Sequence, residues 1–571
     1  MQTYSEDSGG VAMKQTTLCV PLDVKPGSCS RLCALLDALK QREDDATNKS
    51  IPNFHRLREQ VPTLHFMSMS VFNSVSYDPI FIIEANFDGD ASVFWGEIEA
   101  LLGDMLRPML CCCKCPLDNK ADLYKAVTQP NSKEAIAPYL EAATQRPSVF
   151  FHGNRGLART RILDEQRLFL ALRDEIDDPA RRGPNPYRIA TSAHAHAALR
   201  TRMLPRFAWL DLPAPQRVTA GEALMDKVRL LTFVVAMLTI LALPGLIISS
   251  VMRWELYVTV IGLAAAAVAL GLFLNWKPAA GQKVVNRVLP DIPGAPFWIA
   301  LVAGLLITSA LITAVLVPVV FGVTYINHAI SHWLNLHPGP IEASVLMLLI
   351  VRCAALGLVT GIILILPALL LIVRRNEKAD SSQDAPPQDE RLLREILRRE
   401  DWITQNHMGS IVLIKPGIFR SNIIRAGHKG LGLLLRVTPD ARSGYLGSMR
   451  TVHFAHWAFL DNASRLLFLS NFDHSWGSYL HDFIEKAHAG LTLAWGSGVG
   501  FPPARMLILD GASHGRQFKN WALASRTVSR FWYSAYPELS VDQIERNNRI
   551  ANGLRLAKMT EKEAAQWVLD L

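Results

Sequence analysis

The chain has 571 residues, of which 50% are hydrophobic and 19% charged, with a formal net charge of +8. That length excludes a single small module and leaves room for two soluble domains and a group of membrane helices. The positive balance does not indicate a nucleic-acid partner, because no basic helix interleaved with aromatics occurs and the Lys and Arg gather beside apolar segments.

From the amino end, residues 1–10 are polar and acidic, so no signal peptide is expected. Residues 17–24 predict a strand and 29–41 an amphipathic helix. Residues 64–72 and 80–85 predict two strands around a turn at Tyr77-Asp78-Pro79, with a helix over 92–106. A further strand and terminal helix begin near Ser148. Seven of the eight cysteines lie in this first region, including Cys111, Cys112, Cys113 and Cys115. Adjacent Cys side chains cannot all converge on one ion, so reduced thiols in a reducing compartment are expected. Acylation of these thiols, or metal binding together with Cys29 and Cys33, are the alternatives.

Composition then turns to Leu, Val, Ile and Ala. Spans are expected at 230–252, 256–274, 297–323 and 349–373, each long enough to cross about 30 Å of hydrocarbon. Pro244, Pro318 and Pro367 fall inside them, where membrane helices tolerate kinks. Arg217, Lys227 and Arg229 precede the first span, Lys277, Lys283 and Arg287 follow the second, and Arg374, Arg375 and Lys378 follow the fourth. Residues 324–344 carry no Lys or Arg. This alternation predicts both termini in the cytoplasm. Arg352 is expected to snorkel at the outer surface. His328 and His332, with His337 beyond, could clamp a metal, but Glu342 is the only nearby carboxylate.

Residues 376–391, with Pro386-Pro387, read as a flexible tether, and 391–404 as a helix. A strand over 410–414, a helix from 418, a hairpin of 452–460 and 465–470 turning at Asp461-Asn462, and a helix over 479–489 follow. Another strand and terminal helix start near Arg530. Gly496 to Gly500 are glycine-rich but lack the Lys of a phosphate-binding loop.

The two flanks echo one another. Thr63-Leu64-His65-Phe66 and Asn86-Phe87-Asp88-Gly89 match Thr451-Val452-His453-Phe454 and Asn471-Phe472-Asp473-His474, with 21 and 18 residues from His to Asn. Residues 149–173 also lie over 531–555 without gaps, matching Leu157 with Leu539 and Arg167 with Arg549. Strand–helix–strand–strand–helix is the front of a ferredoxin-like sandwich. The expected fold is therefore an α+β ferredoxin-like module in two copies, paired face to face as an α+β barrel, with an all-α four-helix transmembrane unit inserted between them. The corresponding boundaries are 14–215 for the first soluble repeat, 216–375 for the transmembrane unit, 376–391 for the linker and 392–571 for the second repeat.

The element order resembles the dimeric α+β barrel superfamily, which includes dye-decolourising peroxidases, chlorite dismutases and cofactor-free monooxygenases. Phe87-Asp88-Gly89 is similar to the Asp-Gly end of the peroxidase motif, although Ala85 stands where that motif has Gly. The whole layout resembles bacterial multi-pass membrane proteins, which implies an inner (cytoplasmic) membrane location. The peroxidase resemblance implies haem as a cofactor; the residues alone name none.

Among candidate site residues, His65 and His453 recur and share strand faces with Met67, Met69 and Val71, and with Ala455, Trp457 and Phe459. Each is either a proton donor or ligand or a structural His. Asn86, Asp88, Asn471 and Asp473 stand where a strand meets a helix and are expected to cap the next helix; the alternative is a site role, catalytic for Asp473 and ligand-binding for Asn86, Asp88 and Asn471. His474, Trp476 and Tyr479 occur only in the second copy and would mark a retained site. Arg167 and Arg549 either grip an anion or bridge to the other copy, and Tyr533 and Tyr536 are cavity or packing residues. No complete catalytic constellation can be assembled. Two functions compete: paired cytosolic modules that bind a small ligand or protein, or a membrane-tethered oxidoreductase using haem or oxygen on an apolar, lipid-like substrate. The partners expected are the lipid bilayer and the other repeat, with no nucleic acid; transport would require a homo-oligomer.

Overall fold

The computed structural model describes residues 14–44, 54–74, 77–178, 184–277, 295–334, 336, 339–340, 342–380, 390–400, 403–437 and 449–571. The region before the apolar helices includes β1 (Gln15–Asp23), α1 (Cys29–Glu43), β2 (Leu64–Phe72), β3 (Ile80–Asp88), α2 (Ala91–Cys111), β4 (Val149–His152) and α3 (Arg159–Ile176). Four long apolar helices follow: α4 (Ala220–Val251), α5 (Trp254–Asn275), α6 (Ala295–Trp333) and α7 (Ala343–Ala379). After α8 (Glu390–Glu400) the second soluble region runs β5 (Gln405–Leu413), α9 (Ile418–Val437), β6 (Val452–Leu460), β7 (Arg465–Asp473) and α10 (Trp476–Lys486). The short strands β8 (Ala504–Arg505), β9 (Leu509–Asp510), β10 (Arg526–Thr527) and β11 (Phe531–Ser534) precede α11 (Val541–Arg555). The protein is thus mixed α/β with antiparallel sheets. The hairpins fall where their alternating residues place them. β5 begins five residues ahead of its expected start, because Gln405, Asn406 and His407 are polar yet buried in the sheet.

The main departure from expectation is at the sheet edges. One sheet has the order β1-β3-β2-β11 and the other β10-β5-β7-β6-β4. The strand after each terminal crossover therefore completes the opposite sheet. β4 pairs with β6 from Val149↔Trp457 to His152↔Phe454, and β11 pairs with β2 from Phe531↔Met69 to Ser534↔Phe66. Alternation tells which face of a strand is buried but not which edge it joins, so the exchange was not legible in sequence. Its consequence is mechanical: separating the sheets requires breaking both sets of ladder bonds. The helices that follow, α3 and α11, pack against each other, with Asn548 Nδ2 donating to Glu165 at 2.9 and 3.1 Å.

The sheets face one another across Phe72, Ile80, Ile82, Ile411, Ala458, Leu467 and Leu469. The approach is close at Gly409, where an added Cβ would sit 2.8 Å from Phe72 Cζ. The opposite faces carry the helices, with Met67, Met69 and Val71 joining Leu36 and Ile98 in the N-terminal core.

The four apolar helices are long and apolar enough to cross a membrane, which marks a membrane-associated protein. α4 opens on a capping box in which Thr219 and Glu222 satisfy each other's backbone N–H groups. It meets α7 at small residues: a Cβ on Gly361 would lie 2.8 Å from Leu241 O, and one on Gly357 3.1 Å from Ala242 O. A π-helical turn over Gly361–Ile365 precedes Pro367 in α7, as expected where a ring cannot continue the hydrogen-bond ladder.

Arg374, expected as one of the basic flanks, is instead buried. It donates to the carbonyls of Asn275, Lys277 and Ala504 at 2.9, 2.8 and 3.2 Å. Beside it, Glu377 accepts from the backbone N–H of Met506 and Leu507 at 3.0 and 2.9 Å. Asp380 pairs with Lys415 and Arg420. The start of the expected tether is therefore helix locked onto the second soluble region; Pro386-Pro387, like Lys283, Arg287 and His337, lies outside the described residues.

Candidate functional site

His65 and His453 each occupy a β-bulge, where β2 and β6 slip register against β3 and β7. The bulge breaks the period of two and turns both rings towards the partner sheet. The expected sharing of a face with Met67 and Met69 therefore does not hold. The freed carbonyls serve the exchanged segments: Ala535 N donates to His65 O at 2.9 Å and Gly153 N to His453 O at 2.8 Å. The side chains correspond only in facing an aspartate with Nε2. His65 Nε2 lies 3.0 Å from Asp88 Oδ1, in ion-pair contact but off line for a hydrogen bond, and its Nδ1 meets the Tyr536 hydroxyl at 2.8 Å. His453 Nε2 hydrogen-bonds Asp473 Oδ1 at 2.8 Å. Burial and the Asp88 charge push the Tyr536 hydroxyl up, so it stays protonated beside His65.

The two aspartates do cap helices, but not the next ones. Asp88 Oδ2 accepts from Arg159 N and Asp473 Oδ2 from Val541 N, each at 2.8 Å. These are the first residues of α3 and α11, so each carboxylate ties its strand to the terminal helix of the same flank. Ala158, at the start of α3, supplies no side-chain cap, whereas Ser540 provides a capping box for α11.

The two asparagines converge from opposite sheets on a residue overlooked in sequence, Glu84. Asn86 Nδ2 and Asn471 Nδ2 donate to Glu84 Oε1 at 3.1 and 3.3 Å, and the Ser68 hydroxyl donates to Oε2 at 2.9 Å. His407 Nε2 meets Oε2 at 2.8 Å, and His456 Nδ1 lies 3.7 Å from Oε1. Burial alone would raise the Glu84 pKa, but the charges of His407 and His456 and the donated hydrogen bonds win, bringing it down to about 2. His456 is fully buried with neither ring nitrogen hydrogen-bonded, and burial lowers its pKa to about 4. The network extends outward. Asn86 Oδ1 accepts from the Thr17 hydroxyl at 2.8 Å, and His152 Nε2 approaches Thr17 at 2.9 Å. Burial and the nearby cations lower His152 to about 3, so it is neutral and donates to Thr17. A charged residue inside an apolar strand was the signal available for Glu84, since such a group requires partners.

His152 also lines a cavity of about 790 Å³. Its walls come from β4, the carboxyl end of α9, the start of α11 and the start of α4, including Phe150, Arg155, Asp226, Lys227, Leu435 and Glu545.

The remaining sequence candidates scatter. His474 is exposed at φ 67°, in the turn where the first flank has Gly89. Trp476 and Tyr479 lie on the helix side of the second sheet, with Tyr479 stacked on Phe472 at 4.0 Å and bonded to Ser470 at 2.9 Å. The three do not form one site with His453. Tyr533 packs in the N-terminal core, edge-on to Phe54 at 5.7 Å. Arg167 pairs with Asp164 in its own helix and Arg549 with Asp570 near the carboxyl end of the chain, so neither ion pair joins the two α/β regions; Arg549 does line the cavity.

Among the described residues no group of three or more His, Cys, Asp or Glu is placed to hold a metal. Cys111, Cys112, Cys113 and Cys115 are free thiols, and burial raises those of Cys112 and Cys113. His328 meets the Gly339 carbonyl at 3.1 Å. The residues present do not fit a haem at His65 and His453. Both Nε2 atoms face carboxylates, and the rings of Phe66, Phe454 and Tyr536 pack against them at 5.3–6.0 Å between centroids.

Comparisons with known proteins give no match: no family model, no curated protein and no solved structure corresponds to this chain.

Proposed function

We propose that this is a polytopic membrane protein whose two ferredoxin-like modules, products of a duplication, form one cytosolic body that binds a small ligand. Support for the duplication lies in matched details: two bulged histidines, two aspartates capping terminal helices and two exchanged strands. One observation carries the binding reading. The cavity of about 790 Å³ is walled by both soluble regions and by the entrance of the first apolar helix, a position typical of ligand sites between domains. Both termini on the cytoplasmic side of a bacterial inner membrane accord with the basic flanks. The oxidoreductase alternative has no observation in its favour once the haem fit fails. A thermal-shift screen of detergent-purified protein against small solutes tests the reading. Saturable stabilisation is expected, and Ala223→Trp, which fills the cavity from α4, should remove it. A Soret band lost on replacing His65 or His453 would overturn the proposal.

A further inference from the structure

The cavity carries more positive charge than its own acids can absorb. Asp226, only 4% exposed, is shared by three guanidinium groups, with Arg155 at 2.8 Å, Arg229 at 3.4 Å and Arg436 at 3.5 Å. Of the three, Arg155 and Arg436 line the cavity, and one carboxylate cannot neutralise both, so a positive charge remains over there. Lys227 adds another from the rim, exposed and without an ion pair among the described residues. Arg450 lies on the same rim with its side chain 81% exposed, and its nearest carboxylate, on Asp542, is 3.9 Å away. Apolar side chains, Phe150, Leu435 and Met449, also line it. The Arg436 guanidinium stands over the Phe150 ring with its Cζ 4.5 Å from the centroid, and guanidinium groups suit oxyanions.

Position adds to composition. Lys227 stands three residues before Leu230, about 5 Å along the helix axis, and the apolar run of α4 starts there. A molecule held in the cavity would therefore have its charged end among arginines and its apolar end level with the membrane surface. Guanidinium pairs and a lysine match phosphate oxygens in number and geometry.

We propose that this cavity binds the phosphate headgroup of an anionic phospholipid at the membrane surface. The inference rests on the ligand-binding reading above and specifies its ligand. A free phosphate ester shares the recognising chemistry, so the test separates the two sources. Full-length protein in neutral detergent would be titrated with monomeric dihexanoyl-phosphatidate, with dihexanoyl-phosphatidylcholine and with inorganic phosphate, and its thermal midpoint followed. The phosphatidate should raise the midpoint saturably, at concentrations at least about tenfold below those at which inorganic phosphate acts. The double variant Lys227→Glu/Arg450→Glu, confined to the exposed rim, should weaken the phosphatidate response by about tenfold or more. Arg167→Glu, an exposed residue away from the cavity, should leave it unchanged. Equal potency of inorganic phosphate would overturn the lipid source, and equal potency of the phosphatidylcholine would overturn charge selection. If no phosphate compound acts but another solute stabilises the protein and loses its effect in Ala223→Trp, this inference fails and the ligand-binding reading stands.

Discussion

The two sheets can be compared position by position, and they differ where they meet. Register places Gln15 opposite Asp88 and Gln405 opposite Asp473, so the following residues correspond in turn. Thr17 then answers to His407, Cys19 to Gly409, Glu84 to Leu469 and Ser68 to His456. What is retained in both halves is the frame: the bulge histidine, the capping aspartate and the glutamine reaching the Leu157 or Leu539 carbonyl. What differs is the ionisable set at the centre. One sheet brings a carboxylate and the other brings two histidines, and His407 finds its acceptor only across the gap, on Glu84. The recurring residues hold the architecture, and the divergent ones make the two halves inseparable.

The largest effect is expected from breaking that complementarity. Glu84→Ala leaves His407 and two asparagine amides without their acceptor in a dry interior, which should cost roughly 3–5 kcal/mol of stability. Chemical denaturation in detergent would measure it. Glu84→Gln keeps an acceptor oxygen and should cost less. A neutral outcome for Glu84→Ala would mean that the exchanged strands and apolar contacts hold the halves without the polar network.

The frame should respond more evenly, with one built-in inequality. Asp88→Ala and Asp473→Ala each remove a helix cap and a histidine contact, so each should destabilise by about 1–3 kcal/mol. Because α11 retains its Ser540 capping box and α3 has only Ala158, Asp88→Ala should be the worse by about 1 kcal/mol. Equal losses, or the reverse order, would show that the carboxylates act through their histidines and not through the helices.

Close approach of the sheets gives a comparable test. Gly409→Ala puts a methyl 2.8 Å from Phe72 Cζ and should cost about 1–3 kcal/mol by overpacking. Phe72→Leu in the same chain should recover part of that loss. If it does not, the sheets are not packed as closely as Phe72 and Gly409 imply.

These contrasts also explain what could be read in advance. The hairpins, the four apolar helices and the repeated Thr-x-His-Phe and Asn-Phe-Asp strings were legible because alternation, length and recurrence are local properties. The bulge was not, since a period of two presumes regular pairing, and so His65 was assigned to the wrong face. Nor was the function of Asp88, whose helix lies 71 residues downstream. Glu84 and His456 escaped because neither recurs in the other flank, and only the partner sheet gives each its meaning. His474, Trp476 and Tyr479 misled for the converse reason: they are close in sequence, yet His474 is left exposed in its turn while Trp476 and Tyr479 enter the core on the helix side of the sheet, away from His453.

The smallest effect per residue should come from pH. His456 between the sheets and His428 in α9 are both buried, and burial lowers each to about 4 from an ordinary value near 6.5. For His428 the hydrogen bond to the Ala494 carbonyl offsets only part of that cost. A base whose folded pKa is depressed stays neutral in the native protein while its unfolded form takes up a proton. Below about pH 6.5 the unfolded chain thus binds more protons, and stability must fall as pH drops towards 4. At pH 5.5 each such histidine should cost about 1 kcal/mol relative to pH 7.5. Glu84 works in a lower window: its depressed pKa stabilises the fold above about 4.5 and that contribution disappears only as pH falls towards 2. The windows separate the two kinds of group. His428→Gln should flatten the denaturation-versus-pH curve between 7.5 and 5.5 and leave its shape below 4 unchanged, whereas Glu84→Gln should alter chiefly the acid limb. A curve that stays level from pH 7.5 to 5 in the parent protein would place His428 and His456 in contact with water, and the tight joining of the two halves would no longer follow.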